Sequence, residues 1–228
     1  QQGTWFFKFK LNTNETSGND IITVEKDDIE INRSSPSLGS IVNRSGDQNI
    51  NLVVFVNDTD AIHAAGNLTQ GFPSATVYFN VTNSSVNYKV YGSNLTNDTG
   101  HANVTFNPDC TYLNGTQNWN AYTSGDSNYR NYTSSDSTIT IYGNLVPQNI
   151  RTYNSTLQEA DIFYPANNVN ITGDVVDDCG NIIVNTTGVN VTFEVYKNDT
   201  YPVGSQRLCT AVSYLGGGTY NCIWNTGS

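Results

Sequence analysis

The chain has 228 residues, room for one large domain or two smaller ones, and carries a net charge of -10 with a pI near 4.3. That acidity disfavours nucleic acid and anionic membrane surfaces as partners, since both need a lysine and arginine field. Charged residues are only 13% and no apolar run approaches the roughly 20 residues that span a bilayer, so neither a membrane span nor the charge-rich pattern of disorder is expected.

The first element is Thr4-Trp5-Phe6-Phe7-Lys8-Phe9-Lys10-Leu11, in which Trp5, Phe7, Phe9 and Leu11 alternate with Phe6, Lys8 and Lys10. Period-two alternation predicts a strand with one strongly apolar face, close to a chain start that ordinarily frays unless it is tied into a sheet. Runs rich in Val, Ile, Phe, Tyr and Thr follow at Ile21 to Glu25, Ile29 to Asn32, Ile50 to Val56, Ala75 to Thr82, Asn87 to Tyr91 and Ala102 to Phe106. The polar stretch from Asn107 to Ser137, with Tyr112, Trp119, Tyr122, Tyr129 and Tyr132, reads as a long loop whose aromatics stack on sugars or a neighbour, or pack onto their own sheet. Strands then resume at Ser137 to Tyr142, Val169 to Val176, Val189 to Tyr196, Leu208 to Ser213 and Thr219 to Asn225. Asp60 to Ala65 and Thr156 to Phe163 are the only short helix candidates. Closely spaced strands without intervening helices predict an all-β fold of antiparallel β-sandwich modules, with a turn-rich boundary near Tyr164-Pro165-Ala166-Asn167-Asn168.

Asn-x-Ser/Thr sequons start at Asn14, Asn32, Asn43, Asn57, Asn67, Asn80, Asn83, Asn94, Asn97, Asn103, Asn114, Asn131, Asn154, Asn170, Asn185, Asn190 and Asn198. These are 17 of 33 Asn, where chance pairing with the 46 Ser and Thr would give about 7, so heavy N-glycosylation outside the cytoplasm is expected. In the strand sequons Asn80-Val81-Thr82, Asn103-Val104-Thr105, Asn170-Ile171-Thr172 and Asn190-Val191-Thr192, residues i and i+2 share a face. Sugars should therefore mark the wet faces, and Val189, Val191, Phe193 and Val195 the dry one.

Catalytic chemistry finds little support. The only histidines are His63 and His101, and no Gly-x-Ser-x-Gly, His-Glu-x-x-His or phosphate-cradling loop is present, so no enzyme is expected. The carboxylates of Asp27-Asp28-Ile29-Glu30 and of Asp174, Asp177 and Asp178 read as turn and edge residues; the last three have no established calcium-loop spacing. No metal and no cofactor other than N-linked glycans is expected. Four cysteines in an extracellular chain predict two disulfides with three possible connectivities. Cys209 with Cys222 is the most local pairing, which leaves Cys110 with Cys179.

Residues 166–228 carry Asp178-Cys179-Gly180-Asn181 and Gly218-Thr219-Tyr220-Asn221-Cys222-Ile223-Trp224. In this order they resemble the immunoglobulin-like repeats of archaeal surface proteins, which implies a sandwich module at a cell surface. After the Thr219 to Asn225 strand such a module needs one more strand, yet only Thr226, Gly227 and Ser228 follow. The expectation is an open groove bordered by that strand, with the first module as the alternative receiver, filled by Trp5, Phe7, Phe9 and Leu11 of another copy; each of these side chains contributes about 1.5 to 3 kcal/mol on burial. With its sequons, the chain then resembles the donor-strand surface filaments of archaea, especially the glycosylated thread-type pili of Sulfolobales. The resemblance implies residues 1–12 as donor strand, 13–164 as a β-sandwich and 165–228 as an immunoglobulin-like sandwich, in a linear homopolymer of identical subunits forming an extracellular appendage. The alternatives are a fragment of a modular surface-layer protein or adhesin, and a carbohydrate-binding module built on the Tyr112 to Tyr132 aromatics.

Overall fold

The computed structural model describes residues 3–7, 20–24, 26, 28–46, 48–59, 70–84, 86–127, 129–183, 190–196, 206–209 and 211–227. It is all-β. The chain divides into two compact units, Gln1–Tyr142 and Gly143–Ser228.

In the first unit the strands are β1 (Gly3–Phe7), β2 (Asp20–Val24), β3 (Ile29–Ser35), β4 (Ser40–Asn43), β5 (Ile50–Asp58), β6 (Gln70–Gly71), β7 (Thr76–Thr82), β8 (Tyr88–Leu95), β9 (His101–Phe106), β10 (Gly115–Thr123), β11 (Tyr132–Thr133) and β12 (Ser137–Tyr142). One sheet runs β4-β12-β10-β7-β8 with β11 on β10; the other has β5 between β3 on one side and β9 and β6 on the other. All these pairings are antiparallel except β4 with β12, which is parallel. Alternation explains why the two sheets pack. Leu52, Val54 and Val56 of β5 and Val77, Phe79 and Val81 of β7 are all fully buried, while the residues between them lie toward the outer faces. Trp119, Ala121, Ile139, Ile141, Ile29, Ile31 and Phe106 complete the core.

Glycine is required at one close approach. A Cβ on Gly71 would lie 2.1 Å from Thr99 O, and one on Gly100 would lie 2.4 Å from Gly71 Cα. Gly100 also has φ of 82°, a left-handed conformation that other residues adopt at a cost.

The second unit contains β13 (Leu145–Tyr153), β14 (Asn168–Asp177), β15 (Phe193–Tyr196), β16 (Gln206–Cys209), β17 (Val212–Gly216) and β18 (Thr219–Asn225). A four-stranded sheet, β13-β14-β18-β17, is accompanied by the two-stranded ladder β15-β16. Val169, Ile171, Val175, Tyr220 and Cys222 from the first meet Phe193 and Cys209 from the second in the core.

Several expectations need correction. Asn107 to Ser137 is not a loop: it holds β10, whose Gln117, Trp119 and Ala121 point inward. The alternation was hidden because a glutamine occupies a core position, its Oε1 accepting from the Thr82 hydroxyl at 2.9 Å and its Nε2 donating to Leu113 O at 3.0 Å. Thr156 to Phe163 is no helix. Asn154 Oδ1 accepts the backbone N–H groups of Thr156 and Gln158, diverting them from helical bonding, and the chain returns along β13 through a Tyr153–Glu159 bridge. Asp60 to Ala65 lies outside the described residues. The unit boundary falls at Tyr142/Gly143 rather than near Tyr164, because β13 pairs with β14. As an edge strand with Pro147 in its ladder, β13 has no apolar face to announce it.

Leu208 to Ser213 is two strands rather than one. The chain leaves β16 and crosses to β17 in the other sheet, so Cys209 and Cys222 bond between sheets, with Cα atoms 6.1 Å apart, and not along a hairpin. Replacing both by Ala should lower the stability of the second unit by about 2 to 4 kcal/mol in chemical denaturation.

Candidate functional site

Among the described residues, the second unit holds a groove of about 460 Å³ between its two layers. Pro147 and Ile150 of β13, Ile171, Gly173, Asp174 and Val175 of β14, and Val191 to Glu194 with Tyr196 line it. Gly173 forms the floor because a side chain there would meet the Phe193 ring at 3.2 Å. Above the floor, β15 pairs only with β16, so its second edge has no strand partner among the described residues. Ile150 is 65% exposed at the rim. An unpaired edge beside an apolar trough is the arrangement that strand addition uses.

The groove does not lie where the sequence suggested. The Thr219 to Asn225 strand, β18, is flanked by β14 and β17, so both its edges are occupied. Of the proposed donor residues, Trp5 and Phe7 lie in β1, which pairs antiparallel with β2 of the same chain, Trp5 opposite Ile22. Phe9 and Leu11 lie outside the described residues. The β1-β2 ladder joins neither sandwich sheet, and the second edge of β1 carries no strand among the described residues.

One carboxylate at the groove is tuned. Asp174 Oδ1 accepts from the Thr219 hydroxyl at 2.6 Å and Oδ2 from Asn149 Nδ2 at 2.9 Å. These bonds, Thr219's first, favour the charged form and with Arg151 lower the pKa below the usual carboxylate value against opposing desolvation. A depressed folded-state pKa stabilises above the unfolded value, about 3.9, and that contribution is lost as pH falls through the lower folded value. Acid titration of the second unit should show a decline below about pH 4 that Asp174→Asn weakens.

The Asp177 cluster is a turn. Asp177 is 6% exposed; its Oδ1 accepts the N–H groups of Cys179 and Asn181 at 2.9 and 2.8 Å, and Oδ2 accepts Asn181 Nδ2 at 3.0 Å. Asp178 and Cys179 come close to it, but Cys179 is disulfide-bonded and cannot ligate as a thiolate. Cys110 is disulfide-bonded as well, and no cysteine is free. Non-reducing peptide mapping should link Cys209 to Cys222 and Cys110 to Cys179; a bond from Cys179 to either C-terminal partner would contradict this pairing.

The aromatics between Asn107 and Ser137 divide between the core and the surface. Trp119 is 1% and Tyr112 4% exposed, and burial together with Asp109 and Tyr91 pushes the Tyr112 hydroxyl up to about 12. Tyr129 packs on Phe72 with centroids 3.8 Å apart, and Tyr122 stacks on Tyr78. Tyr132, 36% exposed, lies on β11. His101 follows a turn, its Nδ1 3.1 Å from the Thr99 hydroxyl and its ring against Phe55, while His63 and Asp27 lie outside the described residues. Asp28 forms an exposed ion pair with Arg130 at 3.2 Å.

The sequons separate by environment. Asn14, Asn67, Asn185 and Asn198 lie outside the described residues. Asn32, Asn94, Asn97, Asn103, Asn114, Asn131 and Asn190 are exposed, Asn43, Asn80, Asn83, Asn154 and Asn170 half-buried, and Asn57 buried. The outward face expected from alternation holds at Asn103 with Thr105 and at Asn190 with Thr192, and is half-covered at Asn170 with Thr172. It fails at Thr82, which is fully buried because its hydroxyl is held between Gln117 Oε1 and the Asn118 N–H.

No family model and no curated protein matches the chain. Among solved structures, trypsin-activated alpha-2-macroglobulin from Escherichia coli aligns with a TM-score of 0.35 at 8% identity, covering 100% of this chain and 19% of that one. The present chain thus spans about a fifth of that neighbour's length.

Proposed function

We propose that the protein is a structural subunit of an extracellular, N-glycosylated filament in which identical copies join head to tail by strand donation, as the resemblance to thread-type pili implies. The carrying observation is the occurrence together of a largely apolar groove, lined in part by β15, and a sequence segment that alternates Trp5, Phe7, Phe9 and Leu11. The open edge of β1 faces no sandwich strand of its own chain among the described residues, which leaves it available to a second copy. Two disulfides and the absence of any long apolar helix among the described residues are compatible with an extracellular location. A strand given by one copy and received elsewhere on the next is a heterologous contact, which propagates into a fibre unless it closes.

Electron microscopy of protein purified from its producing cells tests this. Fibres one subunit wide are expected. A lattice would favour the modular surface-layer reading, and a concentration-independent monomer would count against both.

A further inference from the structure

The same five-residue turn occurs in both units, each time with a sequon. In Asn97-Asp98-Thr99-Gly100-His101 the Asn97 N–H donates to His101 O and the Gly100 N–H to Asn97 O, both at 2.9 Å. Asn97 Oδ1 accepts the Thr99 N–H, the Thr99 hydroxyl and the His101 N–H at 3.0, 2.8 and 2.9 Å. Asn154-Ser155-Thr156-Leu157-Gln158 repeats this, its Oδ1 accepting the Thr156 N–H, the Thr156 hydroxyl and the Gln158 N–H at 3.0, 2.7 and 3.0 Å. The fourth residue is left-handed in both, with φ of 82° at Gly100 and 60° at Leu157. Three donors on Oδ1 identify it as the oxygen and fix the amide plane, so Nδ2 points away from the turn with no protein partner among the described residues.

Other sequons are arranged in the opposite way. Asn80 Nδ2 is engaged with Asn120 Oδ1 at 3.2 Å, and its Thr82 is fully buried. Asn94 Nδ2 donates to Asn103 O at 2.9 Å, and its Thr96, 4% exposed, accepts the Ala75 N–H. Asn57 is itself 6% exposed.

N-glycosyl transfer needs both ends of the sequon. The Asn Nδ2 bonds to the anomeric carbon of a lipid-phosphate-linked oligosaccharide, the carbon–oxygen bond to phosphate breaks, and the lipid phosphate leaves with the electron pair. Nδ2 gives up one proton to a base of the transferase, which must also reach the sequon hydroxyl. We infer that transfer takes place on the folded chain, that Asn97 and Asn154 are held ready for it by their turns, and that Asn57, Asn80 and Asn94 stay bare. This deepens the glycoprotein reading proposed above and rests on it.

Site-resolved glycopeptide mass spectrometry of the protein from its producing cells tests the inference. Sugar is expected at Asn97 and Asn154 and absent at Asn57, Asn80 and Asn94. Equal occupancy at all five means transfer precedes folding and overturns the inference while the glycoprotein reading stands; no sugar anywhere removes both. A variant separates folding from sequence preference. Trp119→Ala, which loosens the first unit, should raise occupancy at Asn80 and Asn94 and leave Asn154 in the second unit unchanged, whereas unaltered bare sites in a demonstrably unfolded first unit also overturn it.

Discussion

Removing residues 1–12 should leave a subunit that folds but no longer polymerises, and adding back a peptide of that sequence should cap it as a soluble one-to-one complex. The expectation follows from the size of the term at stake. Four large apolar side chains, Trp5, Phe7, Phe9 and Leu11, contribute about 6 to 12 kcal/mol on full burial as an upper figure, before ladder hydrogen bonds and ordering costs. Phe7→Asp with Phe9→Asp should abolish assembly as completely as the deletion, since each places a carboxylate in an apolar trough. The receiving side has its own test. Ile150 lies on the groove rim at 65% exposure, so Ile150→Asp costs the free subunit little and should still block docking. Polymerisation of the truncated chain, or unimpaired fibres from Ile150→Asp, would end the strand-donation reading.

Trp119→Ala should destabilise the first unit by about 3 to 5 kcal/mol, a large share of the roughly 5 to 15 kcal/mol that holds a domain folded. Trp119 is 1% exposed on β10, flanked in register by Val81 of β7 and Ser137 of β12, and it is the largest fully buried side chain among the described residues. A loop residue would move the denaturation midpoint by only a few tenths of a kcal/mol, so the measurement separates the two readings sharply. Trp119 also buries an indole N–H that has no hydrogen-bond partner among the described residues. Trp119→Phe removes that unsatisfied donor together with some volume, two effects of opposite sign, and should cost under about 1.5 kcal/mol. A Phe variant as damaging as the Ala one would mean the N–H is satisfied after all.

Strands with uninterrupted alternation were legible from the start. Leu52, Val54 and Val56, or Val77, Phe79 and Val81, announce a buried face because the two-residue period is a property of the backbone alone. The local Cys209–Cys222 bond was legible too, although its character as a bridge between sheets was not, since that depends on which sheet β16 and β17 each join. β10 was hidden because Gln117 stands in the core, and a buried glutamine is tolerable only where Thr82 and Leu113 O satisfy it. Leu113 is only four residues away, but Thr82 stands 35 residues earlier on another strand, and nothing local in the sequence pairs it with Gln117.

The sequence by itself determined the all-β class, the clustering of sequons, and the apolar stripe from Trp5 to Leu11, because composition and period-two patterning are local quantities. Tertiary structure decided which edges remain open and which sequons remain reachable. β18 reads as a terminal strand but is central, while the second edge of β15 over the groove has no strand partner among the described residues, because strand order depends on long-range pairing that alternation does not encode. Asn80 and Asn97 carry the same three-residue signal, yet one has its hydroxyl partner Thr82 sealed against Gln117 and the other stands in an exposed turn. The physical reason is the same in both cases: burial is a property of what packs on a residue, and the residues that pack here come from strands distant in sequence, 40 positions for Asn80 and Asn120 and 51 for Asn170 and Asn221.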